Sequence, residues 1–214
     1  MSRTPARNFL VECKSQFIEM FGTSDMVEKT VGELASVITK GTTPTTIGFE
    51  FVDTGVNFVK VEDITDDNKI LKNKLMHISL GCHEKLLRSQ LKEKDILISI
   101  AGAIGKVALV SSDILPANTN QALALIRLKS EDMILIDFLM ASLRSQYVIN
   151  QYLNQMRGST QQNLSLKNIS NLVIQVPPLD LQREYVDFVK QSDKSKFEVL
   201  KSYSNLNLSR CLAP

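Results

Sequence analysis

Short runs of apolar residues dominate the middle of the chain. Asn57 to Val61 alternates between apolar and polar positions, which is typical of a strand. Three further segments have the length and β-branched content of strands: Asp95 to Ala101, Lys106 to Ser111 and Gln121 to Leu128. Because only short turns with Gly or Asn separate them, the pattern favours an antiparallel or mixed sheet over a succession of βαβ units.

Helical spacing is predicted on both sides of these strands. Cys82 to Leu91 forms a weak helix, and Asp132 to Met156 has its apolar residues on one helical face. Between the helical and strand segments, Gly41 to Pro44 and Ile64 to Lys69 have the composition of turns. Together these elements predict an α+β domain.

The beginning of the chain also has a helical pattern. Ser2 to Gly22 is predicted as one helix, with Thr4 as its cap and Pro5 at its first position. One face carries a continuous apolar stripe, formed by Phe9, Leu10, Cys13, Phe17, Met20 and Phe21. Such a stripe packs either on the helix's own domain or against a second helix.

A strand, a proline corner and a helix follow one another near the end. Leu172 to Val176 is a β-branched strand, which Pro177-Pro178 ends because proline has no N–H to donate. Asp180 is predicted as the N-cap of a helix from Leu181 to about Cys211. About thirty residues span ~45 Å, and the apolar pattern is interrupted. We therefore expect a helix that leaves the globule.

Composition limits the classes of protein. The chain has 214 residues, 43% of them hydrophobic and 22% charged, which suits one main domain with an appendage. We see neither a membrane span nor a leader peptide. The three cysteines are far apart and there are two histidines, which favours a reducing compartment without a metal site. With a net charge of +2, any binding to nucleic acid requires local clusters of Lys and Arg.

Three incomplete motifs argue against catalysis by this chain. Gly102 and Gly105-Lys106 lack the Gly and Ser/Thr that a phosphate loop needs, so a glycine turn between two strands is the better interpretation. Val176-Pro177-Pro178-Leu179 lacks the acceptor and the aromatic residue of an amino-methyltransferase site. Asp53 with Asp67 and Lys69 resembles a nuclease site only loosely. We predict neither catalytic residues nor a cofactor.

Polar loop residues remain as candidates for chemistry. Asn, Gln, Ser and Thr side chains hydrogen-bond to base edges, and Lys and Arg bind phosphates. The candidates for base contacts are Thr42, Thr43, Thr45, Asn118, Asn120, Gln121, Ser159, Thr160, Gln161, Gln162 and Asn163. The candidates for phosphate contacts are Lys60, Lys106, Arg157 and Lys167. Each residue alone is better explained as an ordinary polar loop residue, whereas the set favours DNA binding.

An ordered series of motifs resembles the DNA specificity subunits of type I restriction–modification systems. A polar loop of the form G-x-x-Q-x-N, a short apolar strand, P-P-L and Q-R-E-x-V at the start of a helix occur between Gly158 and Val186. Gly41 to Pro44, Lys94 to Ser99, Gly102 to Lys106 and Asn118 to Gln121 also match. The resemblance covers nearly the whole chain, and the ordered set is more specific than any one motif.

The resemblance implies a non-catalytic protein with three parts. Residues 25–179 would form one target recognition domain with a mixed or antiparallel sheet and short helices. Residues 1–24 would form a short N-terminal helix, and residues 180–214 a long spacer helix. The implied partners are double-stranded DNA, methyltransferase subunits and a restriction subunit, in the cytoplasm and away from membranes.

A tandem specificity subunit has two recognition domains, whereas this sequence has one. The chain is therefore either a half-subunit that pairs with itself or part of a longer subunit. The helices would form the contact with a second copy or another subunit, through Phe9, Phe17, Met20, Phe21, Val186, Val189, Leu200, Tyr203 and Leu206. Two alternatives from other classes remain, a stand-alone enzyme acting on nucleotides or DNA and a helical scaffold without DNA binding.

Overall fold

The computed structural model describes residues 26–156 and 163–192. The predicted N-terminal helix, residues 157–162 and the chain from residue 193 onward lie outside these ranges. The helices are α1 (Val31–Leu34), α2 (Leu80–Lys85), α3 (Ile136–Leu143), α4 (Gln146–Met156), α5 (Leu166–Ser170) and α6 (residues 179–192). The strands are β1 (Val27–Thr30), β2 (Ala35–Lys40), β3 (Phe51–Val52), β4 (Val56–Val59), β5 (Met76–Ile78), β6 (Ile96–Ser99), β7 (Val107–Leu109), β8 (Ala117–Thr119), β9 (Leu123–Leu128) and β10 (Val173–Val176).

A four-stranded sheet of order β2-β9-β6-β7, antiparallel throughout, forms the centre of the fold. Its two inner strands are apolar on both faces. In β6, Ile96 and Ile98 belong to the core under the helices, whereas Leu97 belongs to the core on the other face. Burial on both faces explains why these strands appear as continuous apolar runs in the sequence.

A second four-stranded sheet of order β3-β5-β4-β8 covers the other side. Its strands pair antiparallel except for β4 and β8, which are parallel with Val59 opposite Thr119. The structure thus confirms the predicted α+β class with antiparallel and mixed sheets. The segment predicted as one helix over 82–91 consists of α2 and a 3-10 turn at Leu87–Ser89, and α2 begins earlier because Ser79 caps it.

The helix predicted from Asp132 to Met156 is in fact two helices. The N–H groups of Arg144 and Ser145 donate to the carbonyls of Ala141 and Ser142, which closes α3 with tight turns. The Ser145 hydroxyl accepts from the Val148 N–H at 3.3 Å and caps α4. The sequence did not indicate this break, because the helical spacing of apolar residues continues across both helices.

The start of α6 differs from the prediction in two respects. The helix begins at residue 179, so Asp180 lies in its first turn and is not the N-cap. Val186 is buried, 7% exposed, in the same core as α3 and β6, and Val189 packs against that core. Residues 179–192 therefore lie on the domain, and Val186 is corrected from a predicted subunit contact to a core residue.

Candidate nucleic-acid interface

Several loops meet at one end of the central sheet. Because neighbouring strands are antiparallel, the last residues of β2 and β6 lie beside the first residues of β9 and β7. The Thr119 hydroxyl also donates to the carbonyl of Val59 at 2.9 Å, which brings the end of β4 to the same place. We call this surface the loop edge and define it as residues 41–45, 60–66, 100–106, 119–122 and 163–165.

Backbone hydrogen bonds connect these loops in a series. The Gly41 N–H donates to the carbonyl of Asn120 at 3.1 Å. The Ile100 N–H donates to the carbonyl of Ala122 at 2.8 Å, and the Leu164 N–H donates to Ile100 at 2.9 Å. Residue 41 has no room for a side chain, because a Cβ there would lie 1.7 Å from the carbonyl oxygen of Thr119. The loops are therefore held at fixed distances from one another.

The glycine turn at 102–105 joins two antiparallel strands. Gly102 and Gly105 have φ angles of +72° and +88°, which glycine adopts without strain. The Ser99 hydroxyl accepts from the Lys106 N–H at 2.8 Å and donates to the Ala103 carbonyl. The turn is followed by β7 and no helix, which confirms the glycine turn and excludes a phosphate loop.

Six predicted base-contact residues come together at the loop edge. The Thr43 hydroxyl donates to Oε1 of Gln121 at 2.5 Å, and Oδ1 of Asn120 accepts from the Ala122 N–H at 3.1 Å. Gln121 and Thr45 are exposed. The six residues are Thr42, Thr43, Thr45, Asn120, Gln121 and Asn163. They come from three separate stretches of sequence.

Asn118 is a correction to the predicted set. Its side chain is 0% exposed, and its amide donates to the Leu86 carbonyl and the Ser89 hydroxyl, both at 3.0 Å. Nδ1 of His83 donates to its Oδ1 at 2.5 Å. A side chain that is buried and bonded in this way supports the fold and does not face a ligand.

The two lysines of the loop edge already have acidic partners. Nζ of Lys60 lies 2.7 Å from Glu62, and this hydrogen bond lowers the pKa of Glu62. Nζ of Lys106 donates to the Ile64 carbonyl at 2.8 Å and lies 3.5 Å from Asp66. The Asp66 side chain is 99% exposed. A phosphate would therefore compete with weakly held surface carboxylates.

The remaining predicted residues divide into two groups. Lys167 is exposed on α5, just after the loop edge. Arg157, Ser159, Thr160, Gln161 and Gln162 lie outside the described residues. Two further side chains adjoin the loop edge. Lys40 is exposed at the end of β2, and the Thr46 hydroxyl donates to the Thr43 carbonyl at 2.7 Å. Lys40 could not be recognised as a candidate from the sequence, because the residue at which β2 ends was not known.

Ion pairs within the protein occupy the opposite end of the central sheet. Arg127 donates from Nε and one terminal nitrogen to both oxygens of the buried Asp95, each at 2.7 Å, and this raises the pKa of Arg127. Nζ of Lys94 lies 2.6 Å from Glu131. At this end, the ion pairs join separate parts of the fold.

Over residues 26–156 and 163–192, His, Cys, Asp and Glu side chains form no group of three that could hold a metal ion. Asp67 pairs instead with Lys69 at 2.7 Å, which lowers the pKa of Asp67. Within the same ranges, every helix is too short or too polar to cross a bilayer.

Comparisons with known proteins give consistent matches. The family model of the type I restriction modification DNA specificity domain matches residues 23–206. The type I restriction enzyme EcoBI specificity subunit of Escherichia coli is 31% identical over 138 residues, which cover 64% of this chain and 28% of that protein.

Solved structures show the same fold at low identity. The HsdS subunit from Thermoanaerobacter tengcongensis has a TM-score of 0.64 and 20% identity over 85% of this chain and 45% of that chain. The type-I restriction-modification S subunit from M. genitalium has a TM-score of 0.56 and 18% identity, covering 95% of this chain and 47% of that chain. A chain from a structure of type I R-M complex assembly has a TM-score of 0.68 and 19% identity, covering 96% and 50%. The present chain thus spans half or less of the length of each of these proteins.

Proposed function

The chain belongs to the type I restriction modification DNA specificity domain family, and on that basis we propose that it reads a short DNA half-site for a type I restriction–modification complex. Residues 25–179 act as the target recognition domain, with the loop edge facing the base pairs. Methyltransferase and restriction subunits dock on the chain and supply the chemistry. Because its ligand is DNA, we place the protein in the cytoplasm.

The main support for this proposal is that polar side chains converge at one end of the central sheet, the loop edge. Base edges are read by Asn, Gln, Ser and Thr, while lysines position the phosphate backbone. The loop edge combines both types within one hydrogen-bonded set of loops. The sheet beneath is buried on both faces, so the loops rest on a rigid support.

The lysine pairs suit a surface that binds DNA reversibly. Lys60 and Lys106 are held by Glu62 and Asp66 in the free protein. Exposed ion pairs of this kind contribute about 0–1 kcal/mol, so a phosphate displaces the carboxylates at little cost. DNA binding then depends on salt concentration, because each phosphate contact releases counterions.

The helical segments are proposed to hold partners. β1 and β10 are antiparallel with Val27 opposite Val176, so the segments before residue 26 and after residue 177 join the domain at one point. We propose that two copies pair through the parts of these segments beyond the described domain, residues 1–25 and 193–214, and read two inverted half-sites. The contact then uses predicted residues outside the described ranges, namely Phe9, Phe17, Met20, Phe21, Leu200, Tyr203 and Leu206.

A salt titration tests the DNA-binding surface. The double change Lys60→Gln, Lys106→Gln removes two phosphate contacts, so the plot of log affinity against log salt should become shallower by about two units. Fluorescence anisotropy of a labelled random-sequence duplex at several salt concentrations gives this slope.

The matched control is Lys94→Gln. Lys94 is also paired with a carboxylate, but it precedes β6 at the opposite end of the sheet. For Lys94→Gln, the slope of log affinity against log salt should equal that of the wild type. Equal slopes for all three proteins would contradict the assignment of the loop edge. If the wild type showed no salt-dependent binding to DNA, the alternative function as a helical scaffold would be favoured.

A further inference from the structure

Gln121 is the most firmly positioned of the exposed amides at the loop edge. Both of its neighbours are bonded through the backbone, because the Asn120 carbonyl accepts from Gly41 and the Ala122 carbonyl accepts from Ile100. The side chain of Asn120 also accepts from the Ala122 N–H, which tightens the turn. Gln121 therefore has a fixed backbone and an exposed side chain.

Thr43 fixes the orientation of the Gln121 amide. The hydroxyl of Thr43 donates its one hydrogen to Oε1 of Gln121 at 2.5 Å. Thr43 is itself restrained, because Pro44 follows it and its carbonyl accepts from the N–H and the hydroxyl of Thr46. The amide nitrogen Nε2 makes no hydrogen bond to residues 26–156 or 163–192. Its two N–H donors are thus free, whereas Oε1 keeps one of its two lone pairs.

An amide with two free donors and a partly occupied acceptor favours particular base edges. In the major groove, guanine shows two acceptors, N7 and O6, whereas adenine shows the N7 acceptor beside the N6 donor. Glutamine reads adenine by accepting from N6 through its own Oε1. Here the Thr43 hydroxyl occupies one of the two lone pairs of Oε1 and lies against that side of the amide, so the unobstructed Nε2 donors favour guanine over adenine.

We propose that Gln121 is a specificity-determining residue that donates to the acceptor groups of guanine, and that Thr43 is the positioning residue that sets its orientation. This inference rests on the proposed function, since it requires the loop edge to lie in the major groove. Removing Thr43 should free Oε1 and let the amide read adenine.

Selection from a random-sequence duplex library tests the pair. The full chain is used together with type I methyltransferase subunits, and the enriched sequences are compared for wild type, Gln121→Ala, Thr43→Val and Thr43→Ser. Gln121→Ala should reduce the preference for guanine at one position by on the order of tenfold. Thr43→Val should shift the same position towards adenine, whereas Thr43→Ser, which keeps the hydroxyl, should match the wild type.

The outcomes separate this inference from the proposed function. If the wild type enriches a motif that Gln121→Ala leaves unchanged, the role of Gln121 is overturned while the proposed function stands. If Thr43→Val changes nothing or abolishes all preferences equally, the positioning role is overturned. A wild type that enriches no sequence would overturn the proposed function and this inference together. Thermal unfolding of each variant shows whether it is folded.

Discussion

At the level of single residues, burial distinguishes asparagines and glutamines that the sequence presents as equivalent. Asn118, Asn120 and Gln121 are nearly consecutive and have the same chemistry. Asn118 is the middle residue of β8 and points into the protein, whereas Gln121 follows the strand and is exposed. The sequence predicted a polar cluster here but not which of its members face outward, because this depends on the register of β8 against β4.

Asn118→Ala should therefore lower stability without changing the DNA sequence that is read. The change removes the Asn118 amide from the Leu86 carbonyl and the Ser89 hydroxyl, which keep their bond to each other, and such a loss of buried hydrogen bonding costs about 1–3 kcal/mol. Urea unfolding should show a loss of free energy of unfolding in this range. Gln121→Ala is the control, and its stability should stay within about 0.5 kcal/mol of wild type because the side chain is exposed. A stable Asn118→Ala protein with altered DNA preference would show that Asn118 contacts DNA instead of supporting the fold.

Among the elements, the strands were easier to predict than the helices. β6 and β9 lie inside the predicted ranges because long apolar runs and β-branched residues leave few alternatives. The break between α3 and α4 went undetected because Ser145 works as a cap through one local bond. The packing of residues 179–192 on the domain was not predicted, because the apolar pattern of α6 suits either a partner or the domain's own core.

Gln182 shows why the docking of α6 was not predictable. This polar side chain is 0% exposed. Its Oε1 accepts from the Leu135 N–H, and its Nε2 donates to the carbonyls of Met133 and Pro177, each at 2.8 Å. Polar residues are seldom fully buried, so a sequence pattern places Gln182 on the surface. In the fold, it attaches α6 to the segment before α3.

Gln182→Ala should loosen α6 from the domain. Three backbone groups lose their partner, including the Leu135 N–H, which should then exchange with solvent much faster. Residue-resolved hydrogen exchange at Leu135 and along residues 182–192 measures this. Arg183→Ala is the control, because Arg183 is exposed and its ion pair with Asp180 lies on the same helix. Unchanged exchange at Leu135 in Gln182→Ala would mean that apolar contacts alone hold the helix.

For the whole molecule, family and fold were both predictable, whereas the geometry of the site was not. An ordered series of weak motifs was sufficient to indicate a type I specificity subunit; the family match confirms the family, and the solved structures confirm the fold. The gathering of residues 41–45, 119–122 and 163–165 depends on long-range strand pairing. No local pattern contains that information.

The site selected by the intact protein from random duplex DNA decides whether the loop edge gives the chain its function. The wild type, assembled with type I methyltransferase subunits, should enrich two inverted half-sites separated by a gap of fixed length. The triple change Thr43→Ala, Gln121→Ala, Asn163→Ala should lose this motif and retain salt-dependent binding to any duplex. If the triple variant enriched the same motif as the wild type, the loop edge would not be the surface that reads DNA.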